Sequence, residues 1–278
     1  MRNVFAFVCL LITLQIKVFA ASDTLWEKIG VAGINVSQVS FNNWSQGGEN
    51  SILWTIFTNM NTKYTNNEWK LSNNLKMAYG RSKIGSSDYR TNDNELYLES
   101  IVSYNIKWSV DPYFSNTVRT GLSEGFDYKT GSGISVSNFF DPGYITQSLG
   151  FTYNTSKYFI TRVGVGLQEV FTNKYRNYTD DPTTTTELEA FKLDTGIECV
   201  SDAKMDIDEN LLYQSKLRLF TRFTSLDVWD VRWDNVITAK VTKYLNVNFN
   251  ILVLYEKSQS PKTQMKEALQ MGLTYSLF

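Results

Sequence analysis

Few residue types in this chain could perform catalytic chemistry. It contains no histidine, so serine–histidine and cysteine–histidine nucleophile systems are excluded, and the commonest zinc ligand is missing. The chain also has no glycine-rich phosphate loop or dinucleotide fingerprint. Carboxylates alone remain as acids and bases, and the candidate pairs are Asp230/Asp234 and Asp206/Asp208. We therefore expect no enzymatic activity, no cofactor and no metal.

A divalent cation is the alternative use for two groups of acids. Asp180, Asp181 and the acids of segment 202–209 offer the oxygen ligands that such a cation prefers. Solvated loop acids are the simpler interpretation, and we adopt it.

Many charged side chains fall on alternate positions of segments whose intervening positions are apolar. This alternation predicts strands with one charged and one apolar face. If the apolar face contacts lipid, the charges project into a lumen, where they either pair across strands and fill it or line a polar pore. We favour a narrow or largely occluded lumen. The candidate lumen charges are Lys76, Glu99, Lys107, Arg119, Arg162, Lys192, Asp194, Glu198, Lys216, Arg218, Asp230, Arg232, Asp234 and Lys240.

The segment 42–50 joins the first two predicted strands and breaks the alternation. Two consecutive glycines permit a sharp reversal, and the density of side-chain amides is unusual for a loop. We predict that the segment lies at the mouth of the lumen or folds into it, with Trp44 as a packing anchor; an ordinary hairpin loop is the alternative. Its candidate site residues are Asn42, Asn43, Trp44, Gln46, Gly47, Gly48, Glu49 and Asn50.

The elements that position these residues are strands. The last segment, 269–278, alternates strictly and ends on Phe278, as in the closing strand of a membrane barrel. Connections alternate between short and long, a rhythm typical of outer-membrane barrels and not required of a soluble sandwich or a lipocalin-like barrel. The prediction is all-β: a transmembrane antiparallel up-and-down β-barrel of about twelve strands, at 31–40, 51–62, 69–79, 96–108, 113–126, 145–153, 158–171, 188–201, 211–223, 229–241, 245–255 and 269–278.

The first 20 residues have the features of a cleaved signal peptide. Arg2 precedes an apolar core at 4–14, and Val18-Phe19-Ala20 supplies a cleavage site; the apolar run is too short for a membrane-spanning helix. We predict a signal peptide at 1–20, a short N-terminal segment at 21–29 and one barrel domain at 30–278.

Charge and cysteine content exclude two further classes of protein. Loss of Arg2 and Lys17 with the signal peptide changes the net charge from −1 to −3, which argues against a nucleic-acid partner. Cys199 is then the single cysteine, so an intrachain disulfide is excluded.

The residues around segment 42–50 also resemble a family signature. The run Asn43-Trp44-Ser45-Gln46-Gly47-Gly48-Glu49-Asn50-Ser51 is similar to the N-W-x-x-G-G-E-N-S signature of an uncharacterised outer-membrane barrel family, a domain of unknown function found mainly in Bacteroidetes-type bacteria. The resemblance implies a barrel in the outer membrane of a Gram-negative bacterium. It implies no activity, because the family has none assigned.

Together these observations predict a bacterial outer-membrane barrel. A narrow, porin-like channel or transport barrel for small polar solutes is the first hypothesis. A sealed structural or interaction barrel, which binds a partner or lipopolysaccharide through its long outer loops, is the second. A carboxylate-only membrane enzyme is a remote third. The expected partners are outer-membrane lipid, lipopolysaccharide and the barrel-assembly machinery, which would bind the strand ending at Phe278.

Overall fold

The computed structural model describes residues 25–43, 45, 48–129, 133–156, 158–181, 184, 188–257 and 260–278. The predicted signal peptide lies outside the described residues, as do Trp44, Gln46 and Gly47. Twelve antiparallel strands close into a barrel, and a two-stranded hairpin stands in one of its connections. This architecture confirms the predicted twelve-stranded up-and-down barrel.

Each barrel strand pairs with the barrel strands that precede and follow it in the chain, and the last pairs with the first. The hairpin of β6 (Gly125–Asp127) and β7 (Ile134–Ser137) lies outside this order, and a 3-10 turn occupies Arg176–Tyr178. The barrel strands are β1 (Trp26–Val39), β2 (Ser51–Thr65), β3 (Trp69–Ile84), β4 (Arg90–Tyr104), β5 (Val110–Thr120), β8 (Gly143–Ser156), β9 (Phe159–Phe171), β10 (Phe191–Asp208), β11 (Leu211–Arg222), β12 (Ser225–Lys240), β13 (Leu245–Tyr255) and β14 (Gln264–Ser276).

The two ends of the barrel differ in their connections. At one end, here the turn end, lie the short connections 66–68, 105–109, 157–158, 209–210 and 241–244, together with the C-terminus. At the other, here the loop end, lie connections 40–50, 85–89, 121–142, 172–190 and 256–263. One loop-end connection, expected at 224–228, is instead the two-residue turn 223–224. The loop expected at 80–94 is also short, because residues 85–89 alone connect β3 and β4, as many as connect β4 and β5 at the turn end. The predicted alternation holds elsewhere.

Several strand limits differ from the sequence prediction. β1 begins at Trp26, before the expected barrel start at Gly30, and β3 and β4 extend into the predicted loop 80–94. The expected strand 113–126 leaves the wall after Thr120, and its last residues form β6. These stretches reach the ends of the wall or project beyond it. There an apolar face is no longer needed, so the alternation that marks a strand fades.

The wall is apolar outside and polar inside. On β14, Leu269, Met271 and Leu273 are 69%, 55% and 59% exposed, whereas Gln270 between them is buried. On β8, Leu149 is 66% exposed and its neighbour Ser148 is 1% exposed. An apolar exterior around a polar interior is the reverse of a soluble barrel and suits a wall that faces lipid.

Among the described residues, no helix is long and apolar enough to cross a membrane.

Aromatic side chains gather near both ends of the wall. At the turn end, the rings of Trp69 and Tyr104 pack with centroids 4.9 Å apart, and Trp108 is 77% exposed. At the loop end, the rings of Phe171 and Phe191 lie 5.1 Å apart. Aromatic belts of this kind are typical of the two membrane–water interfaces.

The wall closes between β1 and β14. Their pairing runs from Val31 opposite Ser276 to Val36 opposite Met271, and the Leu277 N–H donates to the Gly30 carbonyl at 2.8 Å. The Phe278 ring lies against Gly30, so close that a Cβ there would be 2.8 Å from the ring. The C-terminal aromatic therefore packs at the turn end of this seam.

Candidate functional site: ion pairs across the lumen

Ion pairs connect opposite walls of the barrel. β4 and β12 are separated by five strands in either direction around the wall, so they stand opposite each other. Side chains of the two strands nevertheless meet: the Arg232 guanidinium on β12 lies 2.5 Å from Glu95 Oε1 on β4. The lumen is therefore spanned by side chains at this depth.

Two more charges complete this first network. Lys76 Nζ on β3 lies 3.3 Å from Glu95 Oε2 and 3.6 Å from Asp234 Oδ2. Arg232 lies 3.3 Å from the same Asp234 oxygen. Two cations and two carboxylates therefore alternate around a closed ring. Such pairing offsets much of the desolvation that each charge suffers on burial.

A second network lies nearer the turn end. Glu99 on β4 accepts hydrogen bonds from Arg162 on β9 at 3.0 Å and from Lys216 on β11 at 2.5 Å. Asp202 on β10 lies 2.9 Å from Arg162 and 3.6 Å from Lys216. The side chains of Arg162 and Glu99 are only 5% and 7% exposed. Four strands are thus tied together in the lumen by one set of alternating charges.

A third network runs along neighbouring strands towards the loop end. Arg218 donates to Glu198 at 2.7 Å and to the side-chain carbonyl of Gln168 at 2.9 Å. Arg222 lies 2.8 Å from Asp194 and 2.8 Å from Asp230, and Lys192 approaches Asp194 at 3.7 Å.

Three single pairs lie outside these networks. Lys70 binds Asp111 at 2.8 Å near the turn end, and Lys266 binds Asp93 at 3.1 Å towards the loop end. Arg119 lies 3.9 Å from Glu256 and 4.4 Å from the centroid of the Tyr144 ring. The last of these pairs also crosses the barrel, because β5 stands opposite β13.

The formal charges of these lumen ion pairs cancel. A cavity of about 20 Å³ remains among Arg119, Arg218, Arg232, Asp230 and Glu256, which is room for about one water molecule. The paired bases are Lys70, Lys76, Arg119, Arg162, Lys192, Lys216, Arg218, Arg222, Arg232 and Lys266, and the equally numerous acids are Asp93, Glu95, Glu99, Asp111, Asp194, Glu198, Asp202, Asp230, Asp234 and Glu256.

The structure places most of the predicted lumen charges in these pairs, with two exceptions. Lys107 lies in the turn between β4 and β5 with a φ of 60°, and Lys240 is exposed at the turn end of β12. The residues in lumen pairs are Lys76, Glu99, Arg119, Arg162, Lys192, Asp194, Glu198, Lys216, Arg218, Asp230, Arg232 and Asp234.

Several paired charges were not predicted from the sequence. Asp93, Asp111 and Asp202 lie in predicted connections, because the predicted strand limits there are too short. Glu256 directly follows β13, whose end is predicted correctly. Glu95, in the first network, and Lys266, in a single pair, were also not predicted. Their position on the polar parity of the adjoining strand was the signal that could have identified them.

The described residues of segment 42–50 lie at the mouth of the loop end. Asn42, Asn43, Glu49 and Asn50 are exposed. The Asn50 side chain accepts the Phe41 N–H at 2.7 Å, and the Asn50 carbonyl accepts the Gly85 N–H at 2.7 Å. The segment therefore packs on the turn between β3 and β4.

Two glycines make this packing possible. The Phe41 ring lies against Gly48, which has a φ of 120°, and the Glu49 carboxylate lies against Gly85, which has a φ of 57°. Both backbone conformations strain any residue with a side chain.

The two long loops are held together by one carboxylate. Asp141 accepts the N–H groups of Asn173, Lys174 and Tyr175 at 2.9, 2.8 and 3.4 Å, and it precedes a cis peptide bond to Pro142. Within connection 172–190, Glu189 accepts the Thr184 hydroxyl at 2.5 Å and the Asp181 N–H at 2.9 Å. These hydrogen bonds, Thr184's first, lower the pKa of Glu189.

A second clamp attaches the hairpin to the wall. The Asn94 side-chain carbonyl accepts the Leu122 and Ser123 N–H groups at 2.8 and 3.0 Å, and its NH₂ donates to the Ser123 carbonyl at 2.7 Å. Ser135 of β7 also hydrogen-bonds Tyr175 of the neighbouring loop. These hydrogen bonds therefore hold the loops of the loop end in a defined arrangement.

No group of three or more cysteine or acidic residues within the described ranges could hold a metal ion.

A family model described as "Protein of unknown function (DUF3078)" matches residues 36–126, less than half of the chain. The match includes segment 42–51. No curated protein matches the sequence.

Several solved barrels are similar to this chain at low identity. The translocator domain of the autotransporter NalP from Neisseria meningitidis is 9% identical, with 98% of this chain and 95% of that chain covered and a TM-score of 0.38. An outer-membrane channel from Pseudomonas putida F1 is 9% identical over 92% and 96%, with a TM-score of 0.39. The KdgM porin is 10% identical over 91% and 100%, with a TM-score of 0.31. These scores are too low to bear on function.

Proposed function

We propose that this protein is a non-enzymatic barrel of the bacterial outer membrane that is closed to ions and acts through its loop end. The observation that carries the proposal is the contact between Arg232 and Glu95, which joins opposite walls. A lumen whose charges are paired in this way has no unscreened charge to attract a permeating ion, and its side chains obstruct the path.

The loop end supports the second half of the proposal. Clamps at Asp141 and Asn94 hold the long loops in fixed positions, so a partner would meet an organised surface. Preordered loops lose less conformational entropy on binding. Lipopolysaccharide or a partner at the cell surface is the ligand expected there, and the seam strand ending at Phe278 is the expected contact for the assembly machinery.

A narrow path for small neutral polar solutes is the second candidate. One sector of the lumen, formed by β2, β3 and β13, carries several side-chain amides alongside Lys70 and Lys76 of β3, and Asn59 in it is exposed. Amides hydrogen-bond neutral polar solutes without favouring either sign of ion. The residues of this sector are Asn59, Asn61, Asn74, Asn246, Asn248 and Asn250.

Electrical recording separates these candidates from an open pore. The mature protein, refolded and inserted into a planar bilayer, is expected to produce no stable conductance steps. Proteoliposome swelling in a neutral sugar tests the second candidate, which predicts swelling without ionic conductance. Stable conductance steps from the unmodified protein would overturn the closed barrel.

A further inference from the structure

Two basic residues lie on the outer face of β3 near the loop end. Arg81 is paired with Trp54 of β2, and residues opposite each other on neighbouring strands share a face. Trp54 also shares its face of β2 with Ile56, which is 55% exposed, whereas Thr55 between them is buried. Arg81, and Lys83 two positions further along β3, therefore point away from the lumen.

Aromatic rings on the same face mark the depth of these two residues. On β3, Trp69 and Tyr79 are ten residues apart, and on β2 Tyr64 and Trp54 are also ten residues apart. A tilted strand crosses the hydrocarbon in about 9–11 residues, with aromatic rings at its two boundaries. The ring centroids of Trp54 and Tyr79 lie 6.1 Å apart at the boundary next to the loop end. The two cations follow Tyr79 on β3, so they lie at the level of the lipid head groups.

Arg81 and Lys83 are not balanced by an acid, unlike the bases of the lumen networks. Within the described residues, no carboxylate lies at ion-pair distance from either side chain. The Glu49 carboxylate, which belongs to the adjoining connection, lies against Gly85 instead. Two like charges on one strand face repel each other, so a bound anion would stabilise this arrangement.

Tyr89 holds the two cations beside each other. Its ring is 41% exposed, and the ring centroid lies 5.6 Å from the Arg81 guanidinium carbon and 5.6 Å from Lys83 Nζ. The attraction of both cations to the ring offsets part of their repulsion. Arg81 Nη2 also donates to the Tyr89 carbonyl at 2.8 Å, which fixes the guanidinium before any ligand binds.

The guanidinium keeps donors that the protein does not use. In the part of the chain that the structure describes, the hydrogen bond to Tyr89 is the one that Arg81 makes, and its buried Nε has no partner. An arginine and a lysine side by side match a phosphate group, which carries up to two negative charges and several acceptor oxygens. Since the cluster adjoins the hydrocarbon boundary, a phosphate anchored by acyl chains is concentrated at its level, whereas a free ion is not.

We propose that Arg81, Lys83 and Tyr89 form a binding site on the lipid-facing side of the wall for a phosphate group of lipid A, the membrane-anchored part of lipopolysaccharide. The inference rests on the outer-membrane location of the proposed function. It narrows the ligand expected at the loop end to one chemical group at one position on β3.

Binding of lipid A to the refolded mature protein in detergent micelles tests the site. Native mass spectrometry counts the bound lipids, and EDTA removes the divalent cations through which loop acids could otherwise hold a phosphate. The unmodified protein is expected to bind lipid A about tenfold more tightly than the same lipid after enzymatic removal of its phosphates. Equal affinity for the two lipids would overturn phosphate recognition. Inorganic phosphate in excess is expected not to displace lipid A, and displacement would overturn the assignment to a lipid.

Three variants locate the site. R81Q/K83Q removes both charges and is expected to bind lipid A about tenfold more weakly, without preference for the phosphorylated form. R81K/K83R retains both charges and is expected to bind nearly as well as the unmodified protein. Lys243→Gln is the matched control, because Lys243 Nζ lies 5.4 Å from the Tyr244 ring at the opposite end of the barrel. Its affinity for lipid A is expected to be unchanged.

The site and the proposed function fail separately. Unchanged affinity in R81Q/K83Q would overturn the site and leave lipopolysaccharide as a ligand of the loops. Binding of intact lipopolysaccharide without binding of lipid A would also overturn the site, because the ligand would then be held through its sugars. Absence of binding to both would contradict the lipopolysaccharide part of the proposed function as well, whereas closure of the lumen is tested by conductance.

Discussion

Glu95 and Arg232 are 137 residues apart in the chain and on opposite sides of the barrel, yet their side chains are 2.5 Å apart. Glu95 also binds Lys76, so a single carboxylate holds two cations in the middle of the lumen. The contact is one of several that span the lumen, and because Glu95 holds two cations its replacement is the best single test of closure.

We expect Glu95→Gln to convert a barrel that does not conduct ions into one that does. The substitution leaves Arg232 and Lys76 with Asp234 as their remaining acid, so the lumen gains a positive charge and loses the ion pair between β4 and β12. Planar-bilayer recording should show anion-selective steps. The exchanged pair E95R/R232E should restore silence, and Asp127→Asn, in an exposed loop pair, is the matched control. A silent Glu95→Gln protein would show that other contacts close the lumen.

Removing Glu99 should destabilise the barrel more than removing Glu198. Glu99 is the acceptor for both Arg162 and Lys216, and its loss leaves buried cations short of a partner, at a cost of about 3 kcal/mol. After Glu198→Gln, Arg218 still donates to Gln168. Urea unfolding of Glu99→Gln and Glu198→Gln in micelles, followed by tryptophan fluorescence, compares the two. Equal losses would contradict the two-cation role of Glu99.

Gly196 is expected to tolerate no side chain, because its strand neighbour is too close. A Cβ at Gly196 would lie 1.9 Å from the Thr221 carbonyl oxygen, which is backbone and has little room to move. At Gly166 the nearest atom is 3.1 Å away on the Phe220 ring, which can shift. Gly196→Ala should therefore reduce the refolded yield sharply, whereas Gly166→Ala should refold nearly as well as the unmodified protein. Similar yields would show that the wall can adjust at Gly196.

Asp141→Asn should loosen the long loops without opening the barrel. The amide nitrogen that replaces Oδ2 can no longer accept the Lys174 N–H. We expect faster trypsin cleavage after Lys174 and Arg176, measured by limited proteolysis, with an unchanged barrel core. Asp127→Asn is again the control, and cleavage at the unmodified rate would mean that other contacts fix these loops.

The sequence predicted which side chains face the lumen, but it did not predict which side chains they contact there. Alternation placed Arg162, Lys216 and Arg232 on the polar faces of their strands, because strand periodicity is a local property of the sequence. The pairing of Arg232 with Glu95 depends on barrel closure and on the stagger of the strands, which no local pattern encodes. Segment 42–50 shows the same limit: its glycines indicated a special backbone, but its contact with Gly85 required the position of another hairpin.

The ion pairs that cross the lumen also constrain how the protein can assemble. A sheet that has inserted but not yet curled closed would hold Glu95 and Arg232 far apart, each facing lipid or water alone, and a lone charge at membrane depth is strongly unfavourable. Neutralising the interior and joining β1 to β14 are therefore one event, so partly closed forms are scarcely populated in the bilayer. Insertion of this chain is expected to be all-or-none.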